Sequence, residues 1–367
     1  MLKAREAVRS LKEYHPPLSG RAGLRLDFNE NVSGCSPRVL AKLRRLVPDR
    51  LARYPERQSV EHAVAEFLNL SAEQVLLTNG VDEGIHLLCG TYLQQGDEAI
   101  IVVPTFGMYE VFVQQTGACL VAVAADPECG FAFPTASLLA AINQKTRLIA
   151  IANPNNPTGR VVDQDDLLRV LKAAPAAAVL VDEAYYDFYG ETCLPLLEQF
   201  PNLFVARTFS KAYGLAGLRV GILASQAAAM KQLRKMASPY NVNVVALACL
   251  ESAIADSDYV SGYVREVRAG RSLVQKELQR LHVPFWHSQA NFVLLRIGDK
   301  CLDFVRAMRA RGILVRDRSS DPGCAGCVRI TIGTAAHTAM LLKALPECLQ
   351  ELSSCSGPAL PPAKAAM

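Results

Sequence analysis

Residues 207–221 read R-T-F-S-K-A-Y-G-L-A-G-L-R-V-G, with one lysine and one inner arginine set among small residues. Lys211 follows a Thr-x-Ser pair, Thr208 and Ser210, and Arg219 comes later between Gly217 and Gly221. The preceding apolar run, L-F-V-A at 203–206, predicts a buried strand. The lysine then lies at the carboxyl end of a parallel strand, where open α/β sheets build their ligand crevices. Two hydroxyls and a guanidinium suit a phosphate, because the planar fork of arginine matches phosphate oxygens. An amine held beside such a clamp is what pyridoxal phosphate requires: a nitrogen to form a Schiff base and an anchor for the phosphate tail. Taken alone, the stretch also reads as an ordinary solvated loop with a lysine on it.

Upstream, strand and helix signals alternate. Strands are predicted at 75–78, 99–103, 120–124, 148–152 and 179–182, with helices at 82–93, 107–115, 135–142 and 163–171. This is the pattern of an α/β fold with a mostly parallel, doubly wound central sheet. No G-x-G-x-x-G follows any of these strands, so a dinucleotide fold gains little support. The Asn79-Gly80 turn opens a helix with acids in its first turn, and its free N–H groups and positive dipole end offer a second support for a phosphate. Strand–Gly–helix junctions also occur with nothing bound.

Nearer the N-terminus the signals give a helix at 2–12, a Pro-Pro break at 16–17 and a short strand. Then L-D-F-N-E-N at 26–31 leads to a helix capped by Ser36 with Pro37 at its first position. Arg53-Tyr54-Pro55 reads as an extended turn before a helix from Ser59. After Gly221 come a strand, helices at 226–236 and 243–255, and a long amphipathic helix at 259–281. Strands at 291–297, 313–316 and 328–332 follow, with helices at 300–310 and 335–352. The expected division is an N-terminal segment (1–28) packing with the small domain, a large cofactor-binding domain (29–255), a small α+β domain (256–352) and a disordered tail (353–367).

The chain has 367 residues, 50% of them apolar and 20% charged, which is a globular composition. Its 39 basic residues are interleaved with 35 acidic ones for a net charge of +4, so nothing points to nucleic acid or a membrane surface. The first residues alternate charged with apolar side chains and show no secretion signal, and no apolar run is long enough for a bilayer. Eleven cysteines are scattered, mostly in apolar runs (Cys89, Cys119, Cys249), where free cysteine acts as a small buried hydrophobe. Cys324 and Cys327 form the one close pair, and the six histidines lack ligand spacing, so no metal is expected and a reducing cytoplasm is.

Three further motifs carry chemistry. In N-P-N-N-P-T-G at 153–159, two X-Pro units hold the intervening amides in an extended path, and Asn156 is placed to meet a phenolate oxygen. Such loops are also common turns. In V-L-V-D-E-A-Y at 179–185, Asp182 ends a buried strand, where a carboxylate would pair with a protonated pyridine nitrogen, and Tyr185 would reach the ring's 3-oxygen. Acids at strand ends also cap helices. In V-R-I-T-I-G-T at 328–334, Arg329 alternates with apolar residues, and Arg316 lies in the preceding G-I-L-V-R-D-R. Two such arginines on adjacent strands would clamp an anion at about 1.5–3 kcal/mol per charge-assisted bond.

In this order and at these intervals the motifs resemble the fold type I pyridoxal phosphate aminotransferases, and more narrowly the histidinol-phosphate aminotransferases. L-D-F-N-E-N, R-Y-P, N-G-V-D-E-G-I, P-T-F-G-M-Y, P-Y-N-V and Q-A-N-F-V-L carry the likeness together with the motifs above, from about residue 24 to 334. The resemblance implies that Lys211 is the Schiff-base lysine and proton shuttle, with Asp182 on the pyridine nitrogen and Asn156 and Tyr185 on the 3-oxygen. It implies that Tyr109 stacks on the ring, and that Ser210, Thr208, Arg219 and the Val81–Asp82 backbone hold the phosphate. Tyr54 would reach that phosphate from a neighbouring subunit, making the active unit a homodimer. Arg316 and Arg329 would bind the substrate's anionic end, and Tyr14 would close over it. The implied reaction is histidinol phosphate plus 2-oxoglutarate giving imidazole acetol phosphate and glutamate, in histidine biosynthesis. Aromatic amino-acid transamination and phosphoamino-acid decarboxylation are the alternatives on the same fold. Val32-Ser33-Gly34-Cys35 departs from the family, which usually has a proline after N-E-N.

Overall fold

The structure, a computed structural model, describes residues 2–11, 13 and 20–354. Its strands are β1 (Leu24–Arg25), β2 (Val75–Thr78), β3 (Glu98–Val103), β4 (Cys119–Ala124), β5 (Thr146–Ala152), β6 (Ala178–Asp182), β7 (Leu203–Thr208), β8 (Gly221–Ala224), β9 (Phe285–Trp286), β10 (Phe292–Arg296), β11 (Ile313–Leu314), β12 (Arg316–Asp317) and β13 (Cys327–Thr331).

Seven of them form one sheet in the order β2-β8-β7-β6-β5-β3-β4. Its pairs are parallel except those of β8, which runs antiparallel to both β2 and β7. Helix-length segments separate the parallel neighbours, whereas β7 returns to β8 through 209–220, which holds only a short 3-10 turn at Ala216–Leu218. Without a crossover helix the chain turns straight back, and Thr208 pairs with Gly221. Lys211 and Arg219 therefore share one loop at the carboxyl edge of the sheet.

The central strands are buried on both faces, so they read as continuous apolar runs. Alternate residues enter two cores: Val179, Val181, Leu203 and Val205 on one face, Leu180, Phe204 and Ala206 on the other. A second sheet, β12-β13-β10-β9, is antiparallel and accompanied by helices Ser257–Arg280, Cys301–Ala310 and Ala335–Ser354.

Several expectations are corrected. The strand expected at 313–316 is two strands: β11 pairs in parallel with β1, while β12 pairs with β13. The N-terminal strap takes the first half through Leu24 N–H to the Gly312 carbonyl and Leu26 N–H to the Leu314 carbonyl. The helix expected at 2–12 spans only Glu6–Arg9 among the described residues and buries none of its side chains, so no packing extends it. Ser353 and Ser354 continue the last helix rather than starting a tail, and 355–367 lie outside the described residues. Cys119, expected inside, is exposed on edge strand β4. Among the described residues no helix is long and apolar enough to cross a membrane.

Candidate active site

The expected residues gather where parallel strands end. Asp182 closes β6, Lys211 follows β7, Asn156 follows β5, and Tyr109 lies on the helix Met108–Thr116 after β3. The strand order reverses between β3 and β5, because the chain goes from β3 outward to β4 and then returns to β3's other side. This is the switch point at which open α/β sheets form a crevice. The N-P-N-N-P-T-G loop is pinned across it: Asn155 Oδ1 accepts from Thr105 Oγ1 (2.8 Å), and Asn155 Nδ2 donates to the Pro104 carbonyl (2.8 Å).

Asp182 is buried, and burial pushes its carboxyl up to about 6. Its hydrogen bonds come from the Tyr109 hydroxyl (2.7 Å) and the Ala184 N–H (3.0 Å), neither of which carries charge, and the carboxylates of Asp82 and Glu183 push the same way as burial. A cationic N–H facing this group would return it to the ionised form. Tyr109 was expected only to stack on a ring; its hydroxyl also fixes the direction of Asp182.

Lys211 Nζ donates to the Phe28 carbonyl (3.1 Å) and lies 5.9 Å from the centre of the Tyr185 ring. Burial, reinforced by Arg329 and Arg219, pushes its amine down to about 8. The amine therefore has an appreciable neutral fraction near pH 7. Tyr185 packs edge-on against Phe292, and its hydroxyl accepts from Asn29 Nδ2 (2.9 Å).

The residues expected to hold a phosphate are the start of helix Gly80–Tyr92, the Thr208 and Ser210 pair, and Arg219. Thr208 Oγ1 accepts from the Ser210 N–H (3.1 Å). Arg219 Nη2 contacts Asp82 Oδ2 at 2.8 Å, and both side chains are over 40% exposed (44% and 42%). Such a pair is worth at most about 1 kcal/mol, so a phosphate can take the guanidinium over. Gly80 has φ +76°, and a Cβ there would lie 2.5 Å from Arg219 Nη2. The guanidinium is thus seated directly over the bare helix start. Gly80→Ala strains the left-handed backbone and pushes Arg219 aside, which its long side chain allows, so cofactor binding should weaken about tenfold or more as the charge-assisted contact is displaced. Fluorescence titration of the cofactor checks this; an unchanged Kd would remove Arg219 from the phosphate site.

Arg316 and Arg329 stand directly opposite each other on β12 and β13, as two adjacent strands require for an anion clamp. Arg329 Nη2 donates to the Asp27 carbonyl (2.7 Å) and Nη1 to Asn156 Oδ1, while its buried Nε has no partner among the described residues. Burial, together with Arg318 and Arg316, lowers it to about 10. A buried guanidinium with an unused N–H is a site awaiting an acceptor. Tyr54 is 77% exposed and stacks on Tyr240, with ring centres 4.3 Å apart. Tyr14 lies outside the described residues.

The donor set fits pyridoxal phosphate: a buried amine with a lowered pKa, a buried carboxylate lacking a cation in its hydrogen bonds, and a helix start roofed by arginine. Sequence reasoning missed Asn29, Phe28 and Arg21. The Phe28 ring has two guanidinium groups against it, that of Arg21 at 4.3 Å from its centre and that of Arg316 at 5.2 Å. Arg21 in turn pairs with Asp27 through Nε (3.1 Å) and Nη2 (2.8 Å). The alternation in L-D-F-N-E-N was the available signal.

The profile of the family described as aminotransferase class I and II matches residues 22–345. A histidinol-phosphate aminotransferase of Cytophaga hutchinsonii is 35% identical over 350 residues, covering 93% of this chain and 97% of that protein. One of Symbiobacterium thermophilum is 33% identical over 366 residues, covering 96% and 100%. Among solved structures, histidinol-phosphate aminotransferase from Sinorhizobium meliloti in complex with pyridoxal-5'-phosphate matches with a TM-score of 0.85 at 25% identity, over 96% of this chain and 99% of that one. L-threonine-O-3-phosphate decarboxylase from Porphyromonas gingivalis matches with a TM-score of 0.78 at 22% identity, over 89% and 99%, a likeness of fold alone. The motifs, the site geometry and these matches agree: the chain belongs to the class I and II aminotransferases, in their histidinol-phosphate branch.

Proposed function

We propose that the chain moves an amino group between histidinol phosphate and 2-oxoglutarate, giving imidazole acetol phosphate and glutamate in histidine biosynthesis. It is an aminotransferase, and its cofactor is pyridoxal 5'-phosphate. The observation that carries the reading is the placement of Asp182 at the end of β6 and Lys211 just past the adjacent parallel β7, with Tyr185 beside the amine. Bound there, the cofactor supplies an electron-withdrawing ring that stabilises negative charge at the substrate carbon.

The chain's residues then divide the work. Asp182, held by Tyr109, would pair with the cofactor's pyridine nitrogen and keep it protonated. Asn156 and Tyr185 would donate to the 3-oxygen. Thr208, Ser210, Arg219 and the backbone of Val81 and Asp82 would bind the phosphate. Lys211 moves the proton, since an amine lowered to about 8 can both take and return one near neutral pH. Arg316 and Arg329 hold the substrate's phosphate in one half-reaction and the carboxylate of glutamate or 2-oxoglutarate in the other.

Several finer assignments belong to the same proposal. The exposed Tyr54–Tyr240 stack, with exposed Leu40, Val47 and Leu51, supports a homodimer in which Tyr54 reaches the partner's cofactor phosphate. Tyr14 closing over the substrate rests on the resemblance. A large domain at 29–255 and a small one at 256–352, joined through helix Ser257–Arg280, fits the two sheets. Ten free cysteines among the described residues suit a reducing cytoplasm.

Rapid mixing of the holoenzyme with histidinol phosphate should convert the cofactor's absorption at least about tenfold faster than phenylalanine does, the worth of one charge-assisted contact. Equal or reversed preference would move the assignment to aromatic amino acids. Release of carbon dioxide without amino transfer would move it to a decarboxylase.

A further inference from the structure

The short segment 27–31, D-F-N-E-N, touches the centre of the site from several sides. The Asp27 carbonyl holds Arg329 (2.7 Å), and the Phe28 carbonyl holds Lys211 Nζ (3.1 Å). Asn31 Nδ2 donates to the carbonyl of Ala212, next to that lysine (2.9 Å). Asn29 is the segment's hub. It is 1% exposed and sits at φ +56°, a left-handed conformation that glycine takes freely and that asparagine tolerates better than most residues with a side chain.

Glycine would adopt that backbone at no steric cost, so the side chain earns its place by its contacts. The backbone N–H of Asn29 donates to Thr331 Oγ1 (3.0 Å), and its carbonyl accepts from Asn291 Nδ2 (3.1 Å). The Thr331 hydroxyl donates to Asn29 Oδ1 (3.1 Å), which leaves the NH2 end of the carboxamide toward Tyr185, at 2.9 Å from the phenol oxygen. Thr331 stands two places along β13 from Arg329, so the strand that carries the substrate arginine also orients this amide.

We infer that Asn29 is a positioning residue for Tyr185: its N–H occupies the phenol oxygen as acceptor and so turns the phenol's own proton toward the 3-oxygen of the cofactor. An amide NH2 can only donate, so Tyr185 cannot spend its hydrogen on Asn29. An oxygen that accepts one hydrogen bond also becomes a stronger donor in the next. Burial raises the Tyr185 phenol above its ordinary pKa, and Arg329 and the Asn29 bond act against that rise, in keeping with a neutral but willing donor.

The inference rests on the reading in which Tyr185 meets the 3-oxygen, and the test separates the two. A donor to that oxygen stabilises its anion, so weakening the donor should raise the pH midpoint of the bound cofactor's absorption change. The midpoint should rise by about one unit in Tyr185→Phe and about half a unit in Asn29→Gly, which suits the left-handed backbone. Asn29→Asp, which keeps the shape and the Thr331 contact but offers no N–H, should shift it in the same direction. The double variant Asn29→Gly/Tyr185→Phe should match Tyr185→Phe alone, because Asn29 acts only through the phenol. The inference is overturned if both Asn29 variants leave the midpoint in place, or if the Asn29→Gly shift adds in full to that of Tyr185→Phe. No shift in Tyr185→Phe itself would overturn the assignment of Tyr185, and this inference with it.

Discussion

Replacing Lys211 by alanine should slow the half-reaction with histidinol phosphate by about a hundredfold to ten-thousandfold or more, the range for losing a positioned proton-transfer group. Single-turnover absorbance of the cofactor-loaded protein measures it, and a variant within tenfold of wild type would remove Lys211 from the chemistry. The fold should survive, because among the described residues the amine makes one hydrogen bond, to the Phe28 carbonyl. The same side chain has a signature in the protein freed of cofactor. Its folded pKa, about 8, lies below the 10.5 of an unperturbed lysine. Between those values the unfolded chain binds more protons than the folded one, so this group's contribution to stability rises as pH climbs from about 8 to 10.5. Lys211→Ala should lack that rise when unfolding midpoints are compared across the window.

Replacing Arg329 by leucine should lower kcat/KM for histidinol phosphate and for glutamate alike, since in the proposed function one clamp serves both anions. Two charge-assisted bonds at about 1.5–3 kcal/mol each correspond to roughly a hundredfold to ten-thousandfold. Most of the loss should appear in KM, as expected for contacts made equally in the ground and transition states. Arg329→Lys should recover little, because an ammonium cannot span Asn156, the Asp27 carbonyl and an incoming anion as the planar fork does. Arg316→Leu should cost less, since Arg316 is only partly buried beside the Phe28 ring. Unchanged KM values in Arg329→Leu would place the substrate anion elsewhere.

The central sheet could be read in advance because its strands are buried on both faces and flanked by turn residues. The runs before Asp182 and Lys211 each fill two cores with alternate side chains, so almost any polar residue inside them would have been excluded. Ser36 as a cap was equally local: its side chain accepts from the Arg38 N–H. The split at Val315 was not local. It depends on β1 arriving from far away in the chain to pair with β11. The same holds for Asn29, whose partners Tyr185, Asn291 and Thr331 are distant in sequence, so no spacing rule could bring it forward.

By itself the amino-acid sequence determined the strand–helix alternation, the lysine and aspartate at neighbouring strand ends, and the arginines in late strands, because these follow from local patterning and residue chemistry. Tertiary structure alone decided what surrounds them. Burial lowers the Lys211 amine and raises the Asp182 carboxyl, β12–β13 register sets Arg316 opposite Arg329, and the 27–31 segment reaches across to hold the centre. Those properties depend on desolvation and on contacts between residues far apart in the chain, which exist only once the sheet and its strap have closed around the site.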